Sequence, residues 1–482
     1  MANLKLPLLG REKEIALLQQ QWTLPGSHLL VCTGRRRIGK SRLIQEFASN
    51  FAEDFFEFQG LAPRKGLTKN DQIRHFSEQL STKTGLPPLQ YRNWSEAFSV
   101  LSRQIQKNKK TVIFFDEISW MSGVDPDFPG KLKVAWDTIW QKYPKLMIVL
   151  CGSVTSWIEK NIFKDADFMG RISLRIRLKE LPISECAKFW SDKLHQVSAF
   201  EILKVLALTG GVPRYLEEIK PSFSADANIA RMIFTPSGPL FDEYQRVFFD
   251  IFDRRALIYK KIVKTITEKK LSFKDICQKL NKQKNGVISE YLSDLENSGF
   301  IARDTTFNFD GRATKTSRYR IADNYLRFYL KYITPNELRI KKGMFELSSL
   351  EKLSQWDAIM GYQFENTMLN NLELIIESLK IKKHQIITAA PYFQKKNSKN
   401  KGTCQIDLLI HTESNALYLC EFKFRRKIGS EMISEMMRKV EVLKYPVTFS
   451  IRPVLIYEGE LTKEVLDSDY FYQCIRVGDW IA

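Results

Sequence analysis

The chain has 482 residues, enough for about three or four domains of ordinary size. Hydrophobic residues make up 44% and charged residues 27%, which is the composition of a folded globular protein and excludes a disordered or fibrous one. The formal net charge of +19 indicates a polyanionic partner, nucleic acid or an acidic membrane surface, although a basic surface that only keeps the protein soluble has the same composition.

The first third of the chain predicts a parallel α/β sheet. Three short runs, at 29–33, 111–116 and 146–151, are almost continuously apolar, which is typical of strands covered on both faces. Helical stretches separate these runs, so the connections can cross over as a parallel sheet requires. This region is therefore interpreted as an α/β core.

The first strand leads directly into a phosphate-binding loop. Residues 34–41 fit the pattern GxxxxGK[ST] in full, and a helix begins immediately after them. The glycines let the backbone curl so that several N–H groups point at one phosphate, and the helix N-terminus adds partial positive charge. Lys40 is expected to reach the β- and γ-phosphates of ATP, and Ser41 to ligate Mg²⁺. The predicted loop residues are Gly34, Arg35, Arg36, Arg37, Ile38, Gly39, Lys40, Ser41 and Arg42.

Polar residues follow the next two strands. Asp116 is expected in the Mg²⁺ shell and Glu117 beside the attacking water, although two solvated acids at a strand end are common. Ser153 is predicted to sense the γ-phosphate, and a simple turn residue is the alternative. Arg171 is expected to supply positive charge to the transition state from a neighbouring subunit or domain. A role from a neighbouring subunit would require a homo-oligomer. The alternative is an ordinary surface arginine.

These motifs resemble those of the archaeal-type ATPase family, in the STAND-related branch of AAA-like P-loop ATPases. The resemblance covers about residues 8–220 and rests on the segments 9–14, 34–40, 116–118, 151–153, 170–171 and 210–216. It implies an α/β core with a helical lid. It also implies that Arg11 lies near the adenine and that the Pro213 segment closes over the nucleotide.

The basic middle of the chain resembles a winged helix-turn-helix. Helically spaced apolar residues are interrupted at 281–286, 287–297 is the predicted recognition helix, and two strands follow at 300–305 and 317–321. Acidic residues on that helix argue against deep insertion into a groove, so a domain that only packs against a partner stays open. The candidate phosphate contacts are Lys279, Lys282, Lys284, Arg312, Lys315, Arg318 and Arg320.

The remainder of the chain predicts helix, strand, strand, helix and strand. A two-residue period puts Glu421 and Lys423 on one face of their strand, and hairpin pairing would bring Asp407 beside them. Glu365 lies on the preceding helix. Converging carboxylates would bind Mg²⁺ or Mn²⁺ and activate a water. Lys423 would orient that water or stabilise the pentavalent phosphorus.

This last pattern resembles the PD-(D/E)XK nuclease superfamily, over about residues 320–460. By the motif, Glu365 corresponds to the helical acid, Asp407 to the central aspartate, and Glu421 and Lys423 to the terminal pair. A nuclease-like fold kept for packing or DNA binding is the alternative.

The expected fold is therefore multidomain α/β. It comprises a P-loop parallel-sheet ATPase core at 1–178, a helical lid at 179–245, a winged helix-turn-helix at 246–332 and a restriction-endonuclease-like α/β domain at 333–482. The leading hypothesis is an ATP-regulated nuclease that acts on DNA. The alternatives are a nucleotide-gated switch whose C-terminal domain does not cut, and a DNA-binding regulator.

Cysteine usage and hydropathy indicate the compartment. Seven scattered cysteines without a CxxC pair argue against a disulfide framework and against a zinc site. The N-terminus lacks an apolar signal core, and no window approaches 18 unbroken apolar residues. We therefore expect a reducing, cytoplasmic location and no membrane partner.

Overall fold

The computed structural model describes residues 7–123, 125–153, 155–163, 168–252, 256–283, 286–394 and 402–481. The chain divides into two compact units. The first unit contains Met1–Lys179, Gln245–Leu257 and Ser293–Gly299, and the second contains Glu180–Tyr244, Ile258–Leu292 and Phe300–Ala482. The finer division into four domains stays a prediction.

A five-stranded parallel sheet forms the centre of the first unit. Its strands are β1 (His28–Thr33), β2 (Asp54–Gln59), β3 (Thr111–Asp116), β4 (Leu146–Gly152) and β5 (Ile172–Arg177). Their order is β2-β3-β4-β1-β5, and every neighbouring pair is parallel. Strands β1, β3 and β4 are buried along their whole length, because apolar residues cover both faces of the sheet. The predicted parallel α/β core is confirmed.

Helices flank this sheet and fix the strand ends. They are Glu12–Thr23, Lys40–Phe51, Lys69–Thr84, Trp94–Gln104, Ile118–Ser122, Phe128–Thr138 and Thr155–Ile158. An aromatic cluster packs beneath β3: the ring of Trp94 lies 5.6 Å from those of Phe76 and Phe98 and 4.8 Å from that of Phe128. Aromatic pairs at these separations contribute stabilising free energy beyond that of the apolar area they bury. The cluster therefore stabilises the packing against β3, the strand that ends in Asp116.

The second unit contains a hairpin and a mixed sheet. The hairpin strands are β6 (Ile301–Phe307) and β7 (Ala313–Ile321), and the sheet strands are β8 (Ile386–Gln394), β9 (Cys404–Thr412), β10 (Ala416–Ile428), β11 (Ser450–Leu461) and β12 (Gln473–Arg476). The sheet order is β12-β11-β10-β9-β8. The pairs β8–β9 and β9–β10 are antiparallel, whereas β10–β11 and β11–β12 are parallel. The predicted pattern lacks β8 and β12, which are the two edge strands.

The remaining helices surround the hairpin and the mixed sheet or lead into them. They are Ile183–Ala187, Ala199–Thr209, Pro213–Leu216, Ala225–Ile233, Glu243–Phe252, Ala256–Thr265, Phe273–Lys279, Gly286–Asn297, Asn324–Phe328, Glu337–Lys341, Trp356–Asn370, Leu372–Ser378, Glu431–Val442 and Lys463–Leu466. None of the helices in the described ranges is both long and apolar enough to cross a membrane.

The segment predicted as a lid shares one apolar core with the C-terminal sheet. Leu206, Met368 and Cys420 belong to the same buried cluster. The amide of Gln363 donates to the carbonyl oxygens of Ala207 and Asn324, both at 2.7 Å. Helix Ala199–Thr209 is therefore part of the same packed body as the sheet of β8 to β12.

Candidate functional site

The phosphate-binding loop curls around the side chain of Lys40. The buried ammonium group donates hydrogen bonds to the carbonyl oxygens of Gly34 and Arg35 and to Oγ of Ser153, each at 3.0 Å. Gly34 has φ of 148°, and a Cβ there would lie 2.6 Å from a backbone carbonyl oxygen; Gly39 has φ of 91°. Both positions favour glycine, so the tight loop that the motif requires depends on these two residues.

Ser41 and Asp116 meet at the end of β3. Oγ of Ser41 donates to Oδ2 of Asp116 at 2.7 Å. Desolvation by burial, and then repulsion from Glu117, raises the pKa of the Asp116 carboxyl group. A hydroxyl and a carboxylate are hard oxygen ligands, and a divalent cation would relieve the repulsion between the two buried acids. The residues present therefore fit a Mg²⁺ ion.

The carboxylate of Glu117 is held by Ser153. The Ser153 hydroxyl donates to Oε1 at 2.5 Å and the Ser153 amide donates to Oε2 at 3.0 Å. Glu117 is buried and has the left-handed conformation, with φ of 49° and ψ of 51°, which is uncommon for a residue other than glycine and concentrates at functional sites. Lys40, Ser153 and Glu117 thus form one hydrogen-bonded chain across the strand ends.

Arg11 supports the loop backbone. Its Nη2 donates to the carbonyl oxygens of Ile38 at 3.0 Å and Lys179 at 2.8 Å. The proximity of Arg11 to an adenine stays a prediction. Pro213 begins the short helix Pro213–Leu216 in the second unit, and its closure over a nucleotide also stays a prediction.

The other arginines of the loop differ in their surroundings. Arg35 is buried, and Arg37 has a left-handed φ of 70°. The guanidinium of Arg36 lies 5.7 Å from the centre of the Trp120 ring, within the range of a cation–π contact. Arg42 is half-buried in the first turn of the following helix. Their contacts with a nucleotide stay predictions.

Arg171 is engaged within its own unit. Its Nε donates to Oδ1 of Asp137 at 2.6 Å and its Nη2 donates to Oδ2 at 2.9 Å. The hydrogen bonds from Arg171 hold the pKa of Asp137 below its ordinary value. Bidentate pairing of this kind fixes the guanidinium plane. The pair engages Arg171 within its own unit, and the expectation that Arg171 supplies charge from a neighbouring subunit or domain stays a prediction.

Four candidate phosphate contacts of the basic segment are exposed. They are Lys279, Lys282, Arg312 and Lys315. Lys284 lies outside the described residues. Exposed lysines and arginines on one segment provide the sequence-independent attraction that nucleic-acid binding needs.

Two other candidates on β7 are engaged. Arg318 lies 4.7 Å from the centre of the Phe393 ring. Arg320 is buried: its Nε donates to the two carboxylate oxygens of Asp304 at 3.1 and 3.0 Å, and its Nη1 donates to Oδ1 of Asn366. The prediction of a phosphate contact is wrong for Arg320, because at this end of the strand its side chain points inward to a carboxylate.

The acids of β9 and β10 lie side by side. The register places Asp407 opposite Glu421, one step beyond the last paired residues, and the amide of Phe422 donates to Oδ2 of Asp407 at 3.1 Å. Desolvation, and then repulsion from Glu365, raises the pKa of Asp407. Desolvation, and then repulsion from Asp407, raises the pKa of Glu421. The desolvated Asp407 carboxylate therefore repels both Glu365 and Glu421.

Two lysines hold Glu421. Nζ of Lys423 lies 2.9 Å from Oε1, and Nζ of Lys439 lies 2.5 Å from Oε2. Glu435 bridges the two ammonium groups, at 3.2 Å from each. Burial by itself would lower the pKa of Lys439, but attraction to Glu421 and Asp407 raises it above its ordinary value. Lys423 is thus one of a pair, although the sequence indicates a single lysine.

A third lysine, Lys270, forms a buried ion pair with Glu365. Within the described residues, no three acidic, histidine or cysteine side chains gather as a ready metal-binding group. Glu365, Asp407 and Glu421 provide the hard oxygens that Mg²⁺ or Mn²⁺ prefers, and a cation would relieve their repulsion, so the donor chemistry fits. In this arrangement, however, they belong to a cluster of acids and lysines, and metal binding there stays a prediction.

Two lysines of the cluster, Lys439 and Lys270, are not predicted from the sequence. Lys439 has a local signal, because it lies four residues after Glu435 on one helix and such pairs face the same way. Lys270 has no local signal, because its contact with Glu365 joins positions 95 residues apart.

Comparison with known proteins finds a family match in the N-terminal part of the chain. Residues 8–219 match the family model described as an ATPase domain predominantly from Archaea. The uncharacterized protein MJECL04 of Methanocaldococcus jannaschii is 25% identical over 383 residues, which cover 78% of this chain and 79% of the relative.

Two solved structures are similar to parts of the chain. The Walker-type ATPase PABY2304 of Pyrococcus abyssi has a TM-score of 0.50 and 18% identity, over 67% of this chain and 96% of that one. The Aeropyrum pernix ORC2 protein has a TM-score of 0.45 and 14% identity, over 71% and 98%. The family match coincides with the P-loop and the parallel sheet. Residues 8–219 are therefore similar to the ATPase domain found predominantly in Archaea.

Proposed function

We propose that this ATPase uses Mg-ATP, acts on DNA, and hydrolyses phosphodiester bonds in a metal-dependent manner at its C-terminal cluster. The observation that carries the phosphodiesterase is the juxtaposition of Asp407 and Glu421 across two paired strands, with Lys423 on Glu421. Carboxylates that share a desolvated place with a lysine suit a bound cation and a phosphate oxygen.

At the P-loop, each residue has a distinct role. Lys40 exchanges its bonds to loop carbonyls for bonds to the β- and γ-phosphates. Ser41 and Asp116 provide oxygen ligands for Mg²⁺, which neutralises phosphate charge when bound. Glu117 polarises the attacking water. Ser153 connects Glu117 to Lys40 by hydrogen bonds, so that binding of the γ-phosphate by Lys40 affects the position of Glu117.

At the C-terminal cluster, Glu365, Asp407 and Glu421 are the proposed ligands for Mg²⁺ or Mn²⁺. A bound cation would lower the pKa of a water and neutralise phosphate charge. Lys423 orients that water, whose oxygen attacks phosphorus while the bond to the leaving oxygen breaks and a proton passes to it. The paired strands keep Asp407 and Glu421 in place for this step.

DNA contact is proposed for the basic segment. Helices Phe273–Lys279 and Gly286–Asn297 and the hairpin of β6 and β7 follow one another as in a winged helix-turn-helix. The net charge of +19 and the exposed lysines provide the attraction to phosphates. Because the lid segment shares its core with the C-terminal sheet, a lid that responds to nucleotide would carry that sheet with it.

A cleavage assay tests the proposal. Supercoiled and linear DNA would be incubated with Mg²⁺ or Mn²⁺, with and without ATP, and with the wild type, Lys40→Ala, Lys423→Ala and Lys427→Ala. Lys427 is exposed on the same strand as Lys423 and serves as the matched control. We expect cutting by the wild type and Lys427→Ala and its loss in Lys423→Ala. Comparison of Lys40→Ala with the wild type shows whether ATP controls the cutting of DNA.

A second candidate is a nucleotide-gated switch whose C-terminal cluster does not cut. The observation in its favour is that lysines already neutralise Glu365 and Glu421. Intact ATP hydrolysis without cutting under any of these conditions would favour this switch and refute the phosphodiesterase.

A further inference from the structure

Lys270 reaches the C-terminal cluster from outside the predicted nuclease segment. The next residue, Leu271, is bridged to Tyr319 of β7: the amide of Leu271 donates to the carbonyl of Tyr319 at 3.0 Å, and the reverse bond is 2.7 Å long. The backbone beside Lys270 is therefore fixed to the hairpin of the basic segment. Its side chain extends to Glu365, on helix Trp356–Asn370.

The ammonium group of Lys270 lies against Glu365, one of the proposed metal ligands. The side chains of Lys270 and Glu365 are only 6% and 8% exposed, so water screens their attraction poorly. Asp407 interacts electrostatically with both of them. An ammonium at this place neutralises the charge that a divalent cation would neutralise, and it occupies a carboxylate oxygen that the cation would need.

The other two lysines of the cluster are anchored differently. Lys423 belongs to β10 and Lys439 to helix Glu431–Val442, which packs beside the same sheet, and Glu435 joins them. They are built into the body that carries Glu421 and Asp407. Lys270 is instead attached, through Leu271, to a segment with exposed candidate phosphate contacts. Arg320 and Ile321 of the same hairpin also contact Asn366 on the helix of Glu365, so a displacement that withdraws Lys270 would break those contacts as well.

We propose that Lys270 is a tethered competitor of the cation, which holds the C-terminal site unloaded until the basic segment shifts. This inference rests on the proposed metal-dependent function. Lys279, Lys282 and Lys315 lie on the same segment and are exposed. Their engagement by DNA phosphates withdraws Lys270 from Glu365, so that metal loading follows substrate contact and free protein does not cut.

Calorimetric titration of the full chain with Mn²⁺, without nucleotide, tests the competition directly. Asp116→Ala would be present in every sample to remove the cation site of the P-loop. In Lys270→Ala we expect Mn²⁺ to bind about tenfold more tightly, the order of effect seen for groups that touch metal ligands. Lys269→Ala, which removes an exposed neighbouring charge, should leave the affinity unchanged. Adding Glu365→Ala to Lys270→Ala should abolish the gain.

A second variant guards against misfolding, because Lys270→Ala leaves a buried carboxylate without its partner. Lys270→Gln removes the charge and keeps an N–H donor for Glu365. Thermal unfolding followed by circular dichroism identifies which variants are folded. Unchanged or weaker Mn²⁺ binding in a folded Lys270 variant overturns the inference.

The outcome for cleavage is separate. Tighter Mn²⁺ binding in Lys270→Gln without any cutting of DNA would refute the phosphodiesterase and leave the competition intact. Cutting by the wild type, with Mn²⁺ affinity and cutting unchanged in Lys270→Gln, would refute the competition and leave the phosphodiesterase intact.

Discussion

Ser153 donates hydrogen bonds to both carboxylate oxygens of Glu117, one from its hydroxyl at 2.5 Å and one from its backbone amide at 3.0 Å. The same hydroxyl accepts a hydrogen bond from Lys40. The acid proposed to polarise water is therefore tied to the lysine proposed to hold phosphate. A phosphate that draws Lys40 away would alter the hold on Glu117, so binding and activation are joined at one serine.

We predict that Ser153→Ala separates ATP binding from hydrolysis. The variant keeps the loop glycines and Lys40, so ATP affinity should change little. It loses the hydroxyl that aligns Glu117, so kcat should fall about tenfold to a hundredfold. Steady-state ATPase rates and nucleotide titration measure the two effects, with Ser49→Ala, exposed on the helix after the loop, as the control. Equal losses in affinity and kcat would contradict the separation.

Arg171→Ala should affect stability more than catalysis. The Asp137 pair is partly exposed, so its loss should lower the free energy of unfolding by about 0.5–1 kcal/mol. The ATPase rate should stay within about a factor of two, a change equivalent to less than 1 kcal/mol in the barrier. Urea unfolding and ATPase assays check both. A hundredfold fall in kcat with unchanged stability would instead support Arg171 as a transition-state residue.

The contribution of this pair should depend on pH. Because Arg171 lowers the pKa of Asp137 in the folded chain, the stabilisation is fully present above the ordinary carboxyl pKa of about 4. It is lost as the pH falls through the lowered folded value. The difference in melting temperature between the wild type and Arg171→Ala should therefore shrink as the pH is lowered from 7 to 3. A difference that persists at pH 3 would show that the pair acts through packing.

DNA binding should separate exposed from buried basic residues. Lys282→Ala should lower the slope of log affinity against log salt by about one, because one phosphate contact is lost. Arg320→Ala should leave that slope unchanged and destabilise the chain, since Asp304 would stay buried without its partner. Fluorescence anisotropy over a salt series and thermal unfolding measure these effects. A lower salt slope in Arg320→Ala would contradict the buried assignment.

Asp407→Asn should stabilise the metal-free chain and abolish metal binding. Desolvation and the nearby carboxylates disfavour the charged form of Asp407, so a neutral amide that still accepts from Phe422 should raise the free energy of unfolding by about 1 kcal/mol. Asp304→Asn is the contrasting control, because that acid is paired with Arg320 and its loss should destabilise. Thermal unfolding measures the change in stability, and Mn²⁺ titration measures the loss of metal binding. A destabilised Asp407→Asn would mean that the lysines fully compensate the repulsion between the carboxylates.

The P-loop and its sheet were predictable because their chemistry is local. Gly34, Gly39 and Lys40 are adjacent along the chain, and the buried strands that present them and Asp116 are recognisable as apolar runs. Pairs between distant positions were not predictable. Arg171 and Asp137 lie 34 residues apart, and nothing in either neighbourhood indicates the other.

The sequence does not predict strand β8, and the reason is physical. Pro391 lies within it, and proline cannot donate to a sheet ladder. The structure accommodates Pro391 because β8 is an edge strand and its register shifts between Ala390 and Tyr392. An edge position and an irregular register are properties of the assembled sheet, so they cannot be inferred from the sequence of this segment alone.

The core shared by helix Ala199–Thr209 and the C-terminal sheet limits how such a chain can be recombined. Leu206 and Cys420 lie in one buried cluster, so replacing either segment alone would leave half of an apolar interior without its complement. A chimaera that keeps residues 8–219, the stretch that the ATPase family model matches, and exchanges the C-terminal sheet is therefore expected to expose apolar surface of helix Ala199–Thr209.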